Sequence, residues 1–296
     1  MRQVSTGTIL FLSSIVMALA FAIFGINYFF YKYPGNNYFP DNIPFLVSVL
    51  ILLNSGLHLY FPKENQLKKI GRELIYFFSI MCIIAFATNA VQLTPFPIID
   101  PYLVLLEEKM KINMVSILAW THNHPHFKYI LSFIYDSLTY QMSILPLIVI
   151  LFGKFHLIRE FYFYLLCTVL IGFGFYYFFP TIAPASIIHS PYFLSEQMDT
   201  GLKFNQIHHH MIPTTNEGGL IALPSFHTIW AVLCVNLVRE WPIICMLLLL
   251  NNILLIASCV LLGWHYVIDI IGGFIVLSIS YFLLTIWTKN TKIRKS

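Results

Sequence analysis

Three side chains far apart in the sequence could together move a phosphoryl group: His227, His265 and Asp269. They lie in two short motifs, Pro224-Ser225-Phe226-His227 and His265-Tyr266-Val267-Ile268-Asp269. Four residues apart on a helix, His265 and Asp269 share one face, about one turn apart. The carboxylate can accept a hydrogen bond from one imidazole nitrogen. That fixes the tautomer and leaves the other nitrogen free to act as nucleophile or base. Asp269 stands in an otherwise apolar stretch, where a carboxylate is costly without a partner. A His–Asp pair that only ties helices together would fit the same spacing. Pro224 suits a first helical turn, where its missing N–H costs nothing. Ser225 and the free N–H groups of that turn, with the helix dipole, make an anion site. His227 is then placed to protonate a leaving oxygen. A polar helix start with an incidental histidine is the alternative.

The elements that must bring these groups together are membrane spans. The chain has 296 residues, 58% hydrophobic and only 10% charged, with a mean hydropathy of +0.76. Soluble domains carry about 25% charge. Several apolar runs reach the roughly 20 residues that cross a bilayer. They are continuous rather than alternating, which excludes a membrane barrel. The expected fold is an all-α, polytopic transmembrane bundle with eight spans, over 8–31, 43–61, 74–96, 129–152, 161–180, 221–238, 242–262 and 265–287. The first run follows Arg2 and is too long for a cleavable signal, so it reads as a retained span. With the N-terminus inside, 12 of the 17 Lys and Arg fall on inner segments and 5 on outer ones. Among the inner ones are Arg2, Lys63, Lys289, Lys292, Arg294 and Lys295. This asymmetry predicts cytoplasmic termini, and it accounts for the formal charge of +4 without nucleic acid. Both motifs then fall on the extracytoplasmic side, next to the polar segment 181–220.

Other features carry less. Residues 32–42 read as a short Pro/Gly/Asn loop, and 97–128 as an amphipathic stretch that lies on the membrane surface or dips back into it. His208, His209 and His210 cannot all converge on one ion and read as a solvated loop, with phosphate contact as the second reading. His122, His124 and His126 lack zinc-site spacing. Asp136 and Gln141 fall inside the fourth span, where they line a lipid-access cleft or make an interhelical hydrogen bond. The five cysteines lie within apolar runs and read as packing residues, and Glu217 as a solvated loop residue.

The two motifs resemble those of the type 2 phosphatidic acid phosphatase superfamily. Its second motif is Pro-Ser-Gly-His, against Pro224-Ser225-Phe226-His227 here. Its third is Ser-Arg-x5-His-x3-Asp, against Ser258-Cys259-x5-His265-x3-Asp269. The resemblance implies that His265 is a nucleophile forming a phosphohistidine, Asp269 its orienting partner and His227 the general acid. It also implies a six-helix catalytic core made of the last six spans. The chain departs from the pattern in its cations. Cys259 stands at the arginine position. The first motif, Lys-x6-Arg-Pro, is absent, and the chain reads Tyr176-Tyr177-Phe178-Phe179-Pro180 there. Pro224-Ser-Phe-His-Thr228 and His265-Tyr-x-x-Asp269 are similar to the branch containing inositol phosphorylceramide synthases.

The expectation is an integral membrane enzyme in which residues 1–73 add two spans to a catalytic unit over 74–296. It transfers a phospho-head group between lipids, with hydrolysis of a lipid phosphate or polyprenyl pyrophosphate as the alternative. A transporter or non-catalytic membrane protein is the reading from another class. The expected catalytic set is His227, His265 and Asp269. Ser225, Tyr176, Tyr177, Lys203 and His210 are expected to bind substrate. No metal or other cofactor is expected, because the histidines supply nucleophile and proton transfer. The expected partners are phospholipids and membrane lipids.

Overall fold

A computed structural model describes residues 4–39, 42–62 and 65–293, with side chains through Thr288. Arg2, Lys63, Arg294, Lys295 and the side chains of Lys289 and Lys292 lie outside the described residues. The described chain is all helix. In order it forms α1 (Thr6–Ile26), α2 (Ile43–Tyr60), α3 (Gln66–Val91), α4 (Asp100–Lys109), α5 (Met114–His122), α6 (Pro125–Leu151), α7 (Phe155–Phe178), α8 (Ser195–His208), α9 (Phe226–Leu237), α10 (Pro242–Leu261) and α11 (Val267–Ile293). A π-helical turn, Asn27–Tyr31, extends α1, and a short 3₁₀ turn spans Pro184–Ser186.

Seven of these helices are long and apolar enough to cross a membrane: α1, α2, α3, α6, α7, α10 and α11. The chain is a multi-pass integral membrane protein. The expected span 221–238 is a 12-residue helix, α9. At 1.5 Å per residue it covers about 18 Å, short of the roughly 30 Å hydrocarbon layer. Residues 221–225 are apolar but not helical, because Ser225 ends the approach as the N-cap of α9. α3, α6 and α7 begin before the expected spans do. α3 begins at Gln66, capped by Asn65, because Lys68, Lys69, Arg72 and Glu73 leave the bilayer without leaving the helix.

α7 is the axis of the bundle. It packs against α1, α3, α6, α9 and α11, and Tyr162, Tyr164 and Tyr176 on it are fully buried. Such all-round burial is what an apolar surface without a polar stripe predicts. Gln141 makes the interhelical hydrogen bond: its amide and that of Asn252 bond reciprocally at 2.8 and 2.9 Å. Asn252 also donates to the Ala231 carbonyl at 2.8 Å, joining α6, α10 and α9. At the end of the bundle away from the histidines, ion pairs join the helix ends: Lys154–Glu240 at 2.8 Å, Arg159–Glu73 at 2.6 Å and Arg239–Glu160 at 2.7 Å. Hydrogen bonds from Lys154 and His156 hold the Glu240 carboxyl below the usual carboxylate range.

The other end is capped by polar segments that are more ordered than their composition suggests. Asn36 in the first loop exchanges hydrogen bonds of 2.6 and 2.7 Å with Gln92. The stretch 97–128 folds into α4 and α5. α4 docks inward, with Leu103 against Leu223 and Tyr266. Segment 181–220, expected as a loop, contains α8, which Gln197 ties to the Leu262 carbonyl at 2.7 Å.

Candidate active site

Two helix starts meet beneath α4. Ser225 caps α9 by accepting from the Thr228 N–H at 3.3 Å, so its buried hydroxyl has a structural partner. The N–H groups of Phe226 and His227 in the same turn have no acceptor among the described residues. At α11 the expected span start shifts. His265 precedes the helix, and Asp269 sits in its first turn, where the dipole favours a carboxylate. Asp269 Oδ2 accepts from the Tyr266 N–H at 2.9 Å. The Asp269 carbonyl accepts from the Ser225 N–H at 3.0 Å, which locks the two starts together. Glycine allows this approach: a Cβ on Gly273 would stand 2.9 Å from the Ser225 carbonyl oxygen.

His265 Nδ1 faces two acceptors, the Ala222 carbonyl at 3.1 Å and Asp269 Oδ2 at 3.2 Å. Both demand a proton on Nδ1. Nε2 therefore carries the lone pair, and it points at His227 Nδ1, 3.3 Å away. His227 Nδ1–H donates to it at rest. An imidazole lone pair and an imidazole N–H thus face each other across 3.3 Å. His227 stacks on Tyr135 with ring centroids 4.5 Å apart, and Tyr135 stacks on Trp264 at 5.4 Å.

Two carboxylates from α4 complete the site. Glu107 Oε1 accepts from the Val267 N–H and, at 3.4 Å, from the Ile268 N–H. Asp100 Oδ2 accepts from the Ile182 N–H at 2.9 Å. Seven residues apart, Asp100 and Glu107 share a helix face. Their spacing was the signal in the sequence, and the reading of 97–128 as a stretch on the membrane surface or dipping back into it did not use it. Tyr135, Trp264 and the Ala222 carbonyl had no signal, because each acts through a contact across the fold. The donors to Asp100, Glu107 and Asp269 are backbone N–H groups and the His265 ring; none is Lys or Arg. Cys259, at the arginine position of the motif, is buried and its thiol bonds to the Leu255 carbonyl at 3.4 Å.

The structure brings Ser225, His227, His265 and Asp269 together. Tyr176 is buried on α7, within electrostatic reach of Asp100. The other expected substrate residues make their contacts elsewhere. Tyr177 lines an apolar cavity of about 280 Å³ between α1, α3 and α7. Lys203 is buried on α8, donates to the Gly218 carbonyl at 3.2 Å and lies over the Tyr38 ring. Burial pushes its ammonium down to about 8. His210 is exposed, with its ring 5.4 Å from that of Tyr33. His208 is helical rather than in a solvated loop, stacked on Phe204 at 4.1 Å.

Burial, with Asp269 nearby, pushes the Asp100 carboxyl up to about 7. Its ordinary value is 3.8, so between roughly pH 4 and 7 the folded chain holds a proton that the unfolded chain has lost. Stability contributed by this group is complete below that window. It falls as pH rises through it, by up to about 1.4 kcal/mol per pH unit. Asp100→Asn is expected to remove that share of the slope, read as thermal midpoint against pH.

Comparison with curated proteins and with solved structures finds no match. A family model described as PAP2 superfamily matches residues 101–283, which is more than half of the chain and covers α4 through most of α11. The chain belongs to the PAP2 superfamily and has its membrane phosphatase/phosphotransferase fold.

Proposed function

We propose that this protein transfers a phospho-head group from a phosphodiester lipid to a hydroxyl acceptor through His265. His265 Nε2 attacks phosphorus and forms an N–P bond. The P–O bond to the departing alcohol breaks, and His227 gives that oxygen its proton. The acceptor hydroxyl then attacks phosphorus, His227 takes its proton, and the N–P bond breaks. Asp269 and the Ala222 carbonyl hold the Nδ1 proton throughout. The free N–H groups of Phe226 and His227 face the phosphoryl oxygens, and Tyr176 and the Ser225 cap shape the wall. Residues 74–296 form the catalytic unit, with the N-terminal spans appended. The histidines face the extracytoplasmic side and the ion-paired end faces the cytoplasm. The similarity of the motifs to inositol phosphorylceramide synthases points the same way.

One observation carries the choice of a diester. The two histidines stand among three buried carboxylates, Asp100, Glu107 and Asp269, whose donors include no cation. A phosphate monoester, with nearly two charges, calls for a cationic clamp, and a diester carries one charge. Purified protein is expected to turn over a labelled phosphodiester phospholipid faster than phosphatidate, and to give a new lipid product when a hydroxyl lipid is added. Faster phosphatidate turnover, with free phosphate as the product, would favour the hydrolase reading instead.

A further inference from the structure

Asp136 is the polar residue that the site leaves unexplained. It lies on α6 between Phe133 and Tyr140, which are 71% and 67% exposed, and it shares their outward face. It is exposed itself and has no hydrogen bond or ion pair among the described residues. Counting 15 residues back from Leu151 at 1.5 Å each puts it about 22 Å along the span. With Leu151 taken as one edge of a hydrocarbon layer of about 30 Å, Asp136 lies some 8 Å inside the other edge. A carboxylate facing lipid at that depth is costly and marks a functional contact. Its short side chain cannot reach the interface as a lysine would.

The neighbouring residue shows what the contact serves. Tyr135 stacks on both His227 and Trp264. His227, Tyr135 and Trp264 are all only partly buried. An opening from the bilayer to the histidines beside the Tyr135–Trp264 stack would have Asp136 at its outer edge. A carboxylate accepts hydrogen bonds and donates none, and it repels a phosphate. We infer that Asp136 binds the head group of a neutral, hydroxyl-bearing acceptor lipid at a lateral entrance beside Tyr135. This rests on the transfer reading above and adds the class of the acceptor.

The test uses full-length protein in nanodiscs, a labelled phosphodiester phospholipid as donor, and diacylglycerol of distinct chain length as acceptor. Leucine at 136 removes a charge from the bilayer, so Asp136→Leu is expected to fold. Loss of a hydrogen bond to a charged group is expected to raise the KM for diacylglycerol about tenfold. The transfer-to-hydrolysis ratio is expected to fall correspondingly, with Asp136→Asn between the two. Wild-type transfer matched by Asp136→Leu overturns this inference alone. A wild type that hydrolyses the donor but never transfers overturns both it and the transfer reading. An unchanged ratio with a dimer lost in Asp136→Leu assigns the face to a second copy of the chain.

Discussion

His265→Ala is expected to reduce turnover of every phospholipid or lipid phosphate the protein uses by about a thousandfold or more. Removing a covalent nucleophile abolishes the two-step path rather than weakening it. The geometry leaves no substitute. His227 Nδ1 faces His265 Nε2 at 3.3 Å, and its role as proton donor would be lost if it attacked in its place. Cys259, the nearest thiol in the motif, is buried and turned toward the Leu255 carbonyl. The variant is expected to keep its fold, because α9 and α11 stay joined by the Ser225 N–H to Asp269 carbonyl bond of 3.0 Å. Activity assays beside a thermal melt check this. Full activity in a folded His265→Ala protein would remove the mechanism.

Asp269→Asn is expected to cost about a hundredfold to ten-thousandfold in kcat, by removing one negative charge. A carboxylate that orients a catalytic histidine is worth up to about ten-thousandfold where it alone fixes the tautomer. Here the Ala222 carbonyl at 3.1 Å also holds the Nδ1 proton, so the loss should fall short of the upper figure. Asp269 Oδ2 accepts from both the Tyr266 N–H and His265 Nδ1, so an asparagine oxygen in that place keeps both hydrogen bonds. Its NH₂ then takes the buried Oδ1 position, which has no partner among the described residues. What is lost is the negative charge that stabilises the imidazole as it turns cationic on bonding phosphorus. A steady-state assay with saturating donor is expected to show the loss in kcat more than in KM. An unchanged kcat would mean that the pair serves only to join helices.

The meeting of His227, His265 and Asp269 was legible because they sit in two short motifs. His265 and Asp269 are one helical turn apart, and Ser225 announces a helix start. The spans were legible from apolar runs, except for α9. Apolar composition alone cannot separate Ile221–Pro224, which is not helical, from the helix that follows. The roof of the site was not legible. The spacing of Asp100 and Glu107 puts them on one face of α4, but that this face turns inward is shown only across the fold, by the bonds from the Ile182 and Val267 N–H groups and the contact of Leu103 with Tyr266. α8 lay hidden in a polar segment because its packing partners, Leu262 and Gly218, are distant in sequence. Lys203 was a reasonable cation to suspect, but its Nζ is bonded to the Gly218 carbonyl. Among the described residues, no Lys or Arg donates to the three carboxylates beside the histidines.

The central claim is that phosphorus passes through His265 Nε2. The direct measurement is acid-free quenching of the purified enzyme during turnover of a donor labelled at phosphorus, followed by peptide mapping. The account predicts label on the peptide containing His265, bonded at Nε2, absent from His265→Ala and chased off by a hydroxyl lipid. Label on His227, or single-turnover conversion with no covalent label at any time point, would contradict it.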